Sequence, residues 1–410
     1  MRTWFFTEDA YPYLPDADSY ESIRVNLPNK NFDPDTGADL YHMYLDMWCA
    51  ADDMGLEIMN NEHHQTATCM VPAAPIMLGI LARQTKKARL LILGNPIANR
   101  KQPIRVAEEM AVIDVLSRGR LECGFVRGVP YEVAPANAFP YRGSEKLWEA
   151  HDLILKAWTH HEGPFNFEGR WFHARQVNIW PRPYQQPHPP VWITMGSANS
   201  AAQVAQRRHT GAVFLAGYPN IRSIFDGYRQ AYLENHGEET PIDRLAYCAL
   251  IFVGENEKVA QEGVNKLLWY MTSNKVAPQF NNPPGYHSPS VAANIMKGTH
   301  SSSGIPLVPR LDEQMARGNV FAGTPEQVFQ QIKSFWEYSG GFGNLLMMGQ
   351  AGFMTFDETL KSMKLFTEEV YPRLKELTAS YDPGAMKELR ASLPNVETVD
   401  VGGLATEFVR

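Results

Sequence analysis

Asp114-Val115-Leu116-Ser117-Arg118-Gly119-Arg120-Leu121-Glu122-Cys123-Gly124-Phe125-Val126-Arg127-Gly128 holds one complete passage from helix to strand. Residues 117–120 predict a helix end and a tight turn, and 121–126 a buried strand. Arg127 then stands at the strand's tip. Working outward, the same passage recurs along the chain. Strands are predicted at 2–7, 56–60, 89–95, 120–126, 191–196, 212–215, 247–253 and 344–348. Several are near-continuously apolar, as strands of a parallel sheet covered on both faces must be. Between them, 40–54, 105–116, 145–158, 201–208, 221–235, 258–271 and 326–338 carry apolar residues at three- and four-residue spacing, the period of a helix. Eight strands alternating with helices indicate a closed barrel or a doubly wound sheet. The count of eight favours the barrel, and periodicity alone does not separate the two.

The chain has 410 residues, longer than a usual single domain, but α/β barrels with insertions reach this size as one unit. Hydrophobic residues at 44% and charged residues at 20% are ordinary for a globular protein with a large core. The net charge of -7, with no long run of Lys or Arg, leaves no electrostatic footprint for nucleic acid. No stretch of about 18 apolar residues suggests a membrane span. Met1 to Glu8 lack the long apolar core of a signal peptide. Four widely spaced cysteines, Cys49, Cys69, Cys123 and Cys248, form no CxxC pair and fit reduced thiols. A cytoplasmic location is the expectation. Segments 7–39 and 275–318 are long and break the alternation, as functional lids or disordered loops do. The tail beyond about 375, broken at Pro383-Gly384, is expected to wrap the barrel or a neighbouring subunit.

In a βα barrel, functional groups sit where strands end. The second strand runs into Glu62-His63-His64. Adjacent strand residues face opposite ways, so only one of the two histidines can face the mouth, which argues against a paired-histidine metal site. An imidazole there suits proton transfer near neutral pH. On these residues alone, loop histidines bonded to the backbone are the favoured alternative. The third strand ends in Gly94-Asn95-Pro96, a place for a ligand clamp or, more simply, a turn. Arg127 suits a bidentate phosphate contact or a salt bridge to a loop carboxylate. The fifth strand leads into Gly196-Ser197-Ala198-Asn199-Ser200 and a helix. Such a turn offers free backbone N–H groups, the positive end of a helix and the hydroxyls of Ser197 and Ser200. It can equally be a plain helix cap. With Arg127 it would make a two-sided phosphate clamp.

Several stretches together resemble the bacterial luciferase-like flavin-dependent oxidoreductases. They are Glu62-His63-His64, Gln102 to Glu109, Asp114 to Gly128, Trp180-Pro181-Arg182-Pro183, Pro187 to Ile193 with Gly196-Ser197, Gly323 to Val328 and Glu368 to Leu374. Each is soft alone, and their order and spacing are specific over about 1–376. The resemblance implies a (β/α)₈ TIM barrel with long insertions at its C-terminal face, the segment 275–318 as a lid, and 377–410 as a C-terminal extension. It implies a monooxygenase using reduced FMN (FMNH₂) and O₂ to oxygenate a small, largely apolar substrate through a C4a-peroxyflavin. His63 would stabilise or protonate that species, with Glu62 and His64 in support. Arg127, Gly196, Ser197 and Ser200 would hold the phosphate. A cis peptide at Gly94–Asn95 would support the flavin ring.

Luciferase itself carries a reactive cysteine before the phosphate arginine; here that position is Val126, which puts light emission from an aldehyde in doubt. No Rossmann fingerprint for NAD(P)H is found, so a separate NAD(P)H:flavin reductase is expected. Barrels of this family commonly form homodimers. Three rivals remain: an F420-dependent dehydrogenase or reductase on the same fold, a non-catalytic flavin-binding or partner subunit, and a metal-dependent hydrolase barrel, which the adjacent histidines disfavour. Trp4, Phe6, Tyr11, Tyr13, Phe280 and Tyr286 are candidate pocket aromatics, with packing favoured for Trp4.

Overall fold

In the computed structural model, residues 1–16, 19–273, 276–287, 289, 292–293 and 310–399 are described. The barrel strands are β1 (Arg2–Thr7), β2 (Glu57–Asn60), β3 (Leu90–Asn95), β4 (Leu121–Phe125), β7 (Val191–Thr194), β8 (Thr210–Phe214), β9 (Leu245–Val253) and β11 (Asn344–Gln350). They pair in parallel in that order, and β11 returns to β1 to close the ring. Two-residue alternation sorts their side chains into two layers. Phe5, Ile58, Ile92, Phe125, Val213 and Tyr247 join the cluster between sheet and helices. Trp4, Phe6, Met59, Leu93, Trp192, Ala212, Cys248 and Leu346 fill the barrel's interior. On β4 the interior positions are Glu122 and Gly124. Glu122 is buried, ion-paired with Arg2 at 3.3 Å and with Arg89, and it accepts a hydrogen bond from Trp192 Nε1.

Helices cover the outside. The helix Pro34–Asp53 shows why they form. Asp33 accepts from the Thr36 amide at 3.0 Å as its N-cap, and Pro34 supplies the preset first turn. Leu40, Tyr44, Met47, Trp48 and Ala51 make its buried stripe, and the chain turns away at Gly55, whose φ is +78°. Asp52, in its last turn, accepts from the amides of Lys86, Lys87 and Ala88 at 2.8, 3.0 and 2.6 Å. That one carboxylate fixes the entry into β3.

Several elements escaped the periodic reading, the following among them. A short parallel strand, β10 (Val320–Gly323), pairs with the upper half of β9. An antiparallel hairpin, β5 (Phe165–Glu168) with β6 (His173–Val177), projects after the helix Gly143–Thr159. The helix Ala74–Gln84 covers the passage from β2 to β3. The tail contributes a helix, Pro383–Ser392, held to the barrel by Arg390 on Asp226 at 2.8 Å and by Arg222 on the Leu393 carbonyl at 3.2 Å. Of the expected lid, 276–287 is described, and most of the rest of 275–318 lies outside the described residues, as does 400–410. No described helix is long and apolar enough to cross a membrane.

Candidate functional site

The strand tips open into a cavity of about 780 Å³ at the C-terminal mouth. Its wall includes Glu62, His63, Gly94, Arg127, Gly196, Ser197 and Ser200, which the sequence reading singled out. His64 and Asn95 are not in that wall. His64 turns aside to Glu62, its Nε2 at 2.9 Å from Oε1. Asn95 is fully buried at the end of β3, and neither of its amide side-chain atoms has a partner among the described residues. Of the aromatics considered, Phe6 and Tyr286 reach the cavity; Trp4 and Tyr11 belong to the core. The apolar part of the wall comes from Phe6, Leu93, Val126, Ile193, Phe214 and Met271. The cis bond expected at Gly94–Asn95 lies one residue earlier, at Leu93–Gly94. Gly94 sits against Val126, where a Cβ would meet the valine at 2.1 Å.

His63 stands at the centre of a buried charge network. Its Nδ1 lies 2.7 Å from Glu132 Oε1 and its Nε2 3.5 Å from Glu8 Oε1. Glu132 also accepts from the His64 amide at 3.2 Å. Glu8 is held by Arg24 at 3.5 Å and by Asn61 Nδ2 at 3.2 Å. Arg24 donates in turn to the Tyr131 hydroxyl at 2.7 Å and to Thr68 Oγ1 at 2.6 Å. Burial disfavours the imidazolium of His63, but the carboxylates of Glu132 and Glu8 outweigh it and push its pKa up to about 9. Burial likewise pushes Glu132 and Glu8 up. Their cationic neighbours, His63 for Glu132 and Arg24 with His63 for Glu8, hold both below the ordinary carboxylate range. In a protonated His63 both ring nitrogens carry N–H; Glu132 takes the one at Nδ1, and the one at Nε2 has only the longer contact to Glu8. Asp9, next along from Glu8, is buried with neither carboxyl oxygen partnered among the described residues; burial and the Glu8 charge push it well above the ordinary range.

Sequence reasoning missed Glu8, Arg24, Tyr131 and Glu132. Glu8 follows β1 directly, so the strand-end rule applied to it as it did to Glu62. Glu132 was harder to see, since it sits in a one-turn helix, Pro130–Glu132, beyond the β4 tip. The chain reaches that turn through Gly128, whose φ is +87° and whose absent side chain leaves room for Asn99, 2.4 Å from where a Cβ would stand. A side chain fits neither the backbone angle nor the space.

On the opposite wall, Arg127 has no carboxylate partner among the described residues. Its stem lies along Gly143 at the start of the helix Gly143–Thr159, where an added Cβ would be 3.0 Å from Cδ. Ser197 caps the helix Ala198–Ala205, accepting from the Ser200 amide at 3.2 Å, while Ser200 Oγ accepts from the Gly196 and Ser197 amides at 3.2 and 3.0 Å. The turn, exposed at Gly196 and Ser197, concentrates N–H and O–H groups at a helix start. A guanidinium with no carboxylate partner among the described residues and this turn on one cavity suit a phosphate monoester. An apolar wall at Leu93, Val126 and Ile193 suits an aromatic ring. Phosphorylated flavin meets both demands. Among the described residues no group of three or more His, Cys, Asp or Glu could hold a metal ion.

The sequence signature described as "Luciferase-like monooxygenase" matches residues 23–341. The chain belongs to the luciferase-like monooxygenase family. Among relatives, the flavin-dependent trigonelline monooxygenase, oxygenase component, of Acinetobacter baylyi is 24% identical over 84% of this chain and 92% of its own. Among solved structures, the oxygenating constituent of 3,6-diketocamphane monooxygenase of Pseudomonas putida, a type II Baeyer-Villiger monooxygenase in complex with FMN, superposes with a TM-score of 0.66. It shares 19% identity, over 91% of this chain and 98% of that one. The coenzyme F420-dependent tetrahydromethanopterin reductase of Methanopyrus kandleri shares the fold at a TM-score of 0.61 and 17% identity, over 81% of this chain and 95% of that one. The family thus holds a TIM barrel, as the sequence resemblance implied.

Proposed function

We propose that this member of the luciferase-like monooxygenase family is the oxygenating component of a two-component system. It would take reduced FMN from a separate NAD(P)H:flavin reductase and insert one atom of O₂ into a small organic substrate. The observation that carries the reading is the pairing, across one cavity, of an Arg127 with no carboxylate partner among the described residues and a His63 set between the carboxylates of Glu132 and Glu8. The relative named as an oxygenase component and the FMN-bound structural neighbour support it.

Bound reduced flavin would supply the electrons that activate O₂. The chain's own residues do the rest. Arg127, with the Gly196–Ser200 turn, holds the phosphate by charge-assisted hydrogen bonds. Gly94 and Val126 give the ring a close apolar wall. His63 presents an N–H at Nε2 to negative charge developing on oxygen, and Glu132 holds the imidazole in that orientation. Glu62 binds Arg100 and His64, contacts that support its role in holding the loop that carries His63. The apolar side chains at the mouth exclude water, which protects reactive oxygen species from wasteful decay.

The test supplies reduced FMN and ¹⁸O₂ to the purified chain with a panel of cyclic ketones and N-heteroaromatic acids. One labelled oxygen per product molecule is the expected result. Hydride transfer to oxidised or from reduced F420 in the absence of O₂, and no labelled product with FMN, would instead establish the deazaflavin dehydrogenase or reductase reading.

A further inference from the structure

Arg127 is held by an aromatic residue of the 276–287 segment, Tyr286. Its guanidinium carbon lies 4.0 Å from the ring centroid of Tyr286, and its Nε donates to the Tyr286 hydroxyl at 3.2 Å. That hydroxyl donates onward to the Gly128 carbonyl, the residue after Arg127. One aromatic side chain therefore fixes the guanidinium by its face and by its Nε edge. No hydrogen bond from Nη1 or Nη2 is formed among the described residues. Those two N–H edges make the fork that binds a phosphate through parallel bonds.

Tyr286 also belongs to a strap. Residues 276–287 cross the cavity, with Val276, Asn281, Tyr286 and His287 in its wall. The far end is pinned to the loop after β1, where the Ala277 amide donates to Ser22 Oγ at 3.2 Å and Gln279 Nε2 to Glu21 Oε1 at 2.5 Å. The near end has Tyr286 on Arg127. Within it, His287 Nε2 sits 3.0 Å from the Asn281 carbonyl.

We propose that Tyr286 is a positioning residue for Arg127. It sets the plane of the guanidinium so that the Nη edge meets the cofactor's phosphate monoester, and it couples phosphate binding to docking of the 276–287 strap. The inference rests on the flavin reading above. Coupling follows from linkage: a phosphate that orders the guanidinium favours the tyrosine stacked on it, and the stacked tyrosine favours the phosphate equally. Riboflavin, which lacks the phosphate, has no such effect.

The test is equilibrium titration of FMN and of riboflavin into wild type, Tyr286→Phe, Tyr286→Ala and Arg127→Ala, followed by flavin fluorescence. Hydrogen exchange of 276–287 is measured with each flavin. Tyr286→Phe keeps the stacked ring and loses the Nε acceptor, so FMN affinity is expected to fall about threefold. Tyr286→Ala loses both, for about tenfold or more. Riboflavin affinity stays within about twofold of wild type. FMN slows exchange in the strap, riboflavin does not, and Tyr286→Ala abolishes the difference. Equal weakening of both flavins by Tyr286→Ala makes the tyrosine merely structural and overturns the proposal. An unchanged FMN preference overturns it too. If wild type binds neither flavin, or Arg127→Ala leaves the FMN preference intact, the flavin-phosphate reading itself fails, and this inference falls with it.

Discussion

Replacing Glu132 with Gln tests whether His63 works as a cation. The contact is 2.7 Å from Nδ1 to Oε1. Two unit charges about 4 Å apart at an effective dielectric near 20 attract by about 4 kcal/mol. At about 1.4 kcal/mol per pH unit, that is about three units of pKa. It exceeds the net rise of His63 from 6.5 to about 9. With the carboxylate replaced by an amide, burial remains and only Glu8, 3.5 Å away, opposes it. The His63 midpoint is therefore expected to fall from about 9 to about 6.5 or below. The sign for stability follows. A histidine whose folded pKa is raised stabilises the fold fully below its unfolded value, near 6.5, and loses that contribution as pH rises through about 9. Wild type should thus exceed Glu132→Gln by on the order of 3 kcal/mol at pH 6, with the gap narrowing as pH climbs through 9. The assay is NMR titration of ¹³C-labelled histidine, with His63→Gln to assign the signal, and urea unfolding at pH 6 and pH 9.5. A His63 midpoint near 6.5 in wild type, or one still near 9 in Glu132→Gln, refutes the reasoning.

Three further outcomes follow from the geometry. His63→Ala should retain FMN binding while O₂ consumption yields hydrogen peroxide instead of product; an undiminished product yield removes the role assigned to the imidazole. Asp52→Ala strands the amides of Lys86, Lys87 and Ala88 and should cost about 2–4 kcal/mol at pH 7 by urea unfolding. Burial pushes the Asp52 carboxyl up, but those amides outweigh it and hold it below its ordinary value. Its contribution is present above about pH 3.9 and fades as pH falls through the depressed folded value, so the gap between the two proteins closes in acid. Gly124→Ala places a Cβ 2.3 Å from the Ile92 carbonyl oxygen and 2.9 Å from the Leu93 Cα, both backbone atoms of β3. The ladder must move to admit it, for a loss of more than about 3 kcal/mol seen as a fall in thermal midpoint; a neutral substitution would show that β3 and β4 are less closely held than described.

Much of the barrel was legible because a parallel sheet buried on both faces writes its strands as apolar runs. β1, β3, β4 and β9 are of that kind. β10 has four residues and no periodicity of its own, and what makes it a strand is pairing with β9, a contact between distant parts of the chain. The helix Ala74–Gln84 hid because Ile76 and Ile80 leave its outer face apolar, so the stripe that marks an amphipathic helix is blurred. At the site, residues adjacent to predicted strand tips were found: Glu62, His63, Gly94, Arg127 and Ser197 all line the cavity. Glu132 and Arg24 were not, because each sits in a single helical turn within a long connection, whose path depends on tertiary contacts. Their meaning lies in the imidazole and the carboxylate they meet, 69 residues away in one case and 16 in the other. Alternation says that one of His63 and His64 faces in and not which; the family resemblance alone singled out His63.

The most direct measurement of the central claim is a crystal structure of the chain soaked with FMN. The phosphate is expected between the Arg127 guanidinium and the Gly196–Ser200 turn, with the ring against Leu93 and Gly94 and one edge open toward His63 Nε2. Flavin bound away from the strand tips, or a mouth that stays empty at saturating FMN while Arg127 keeps its present contacts, would contradict the account.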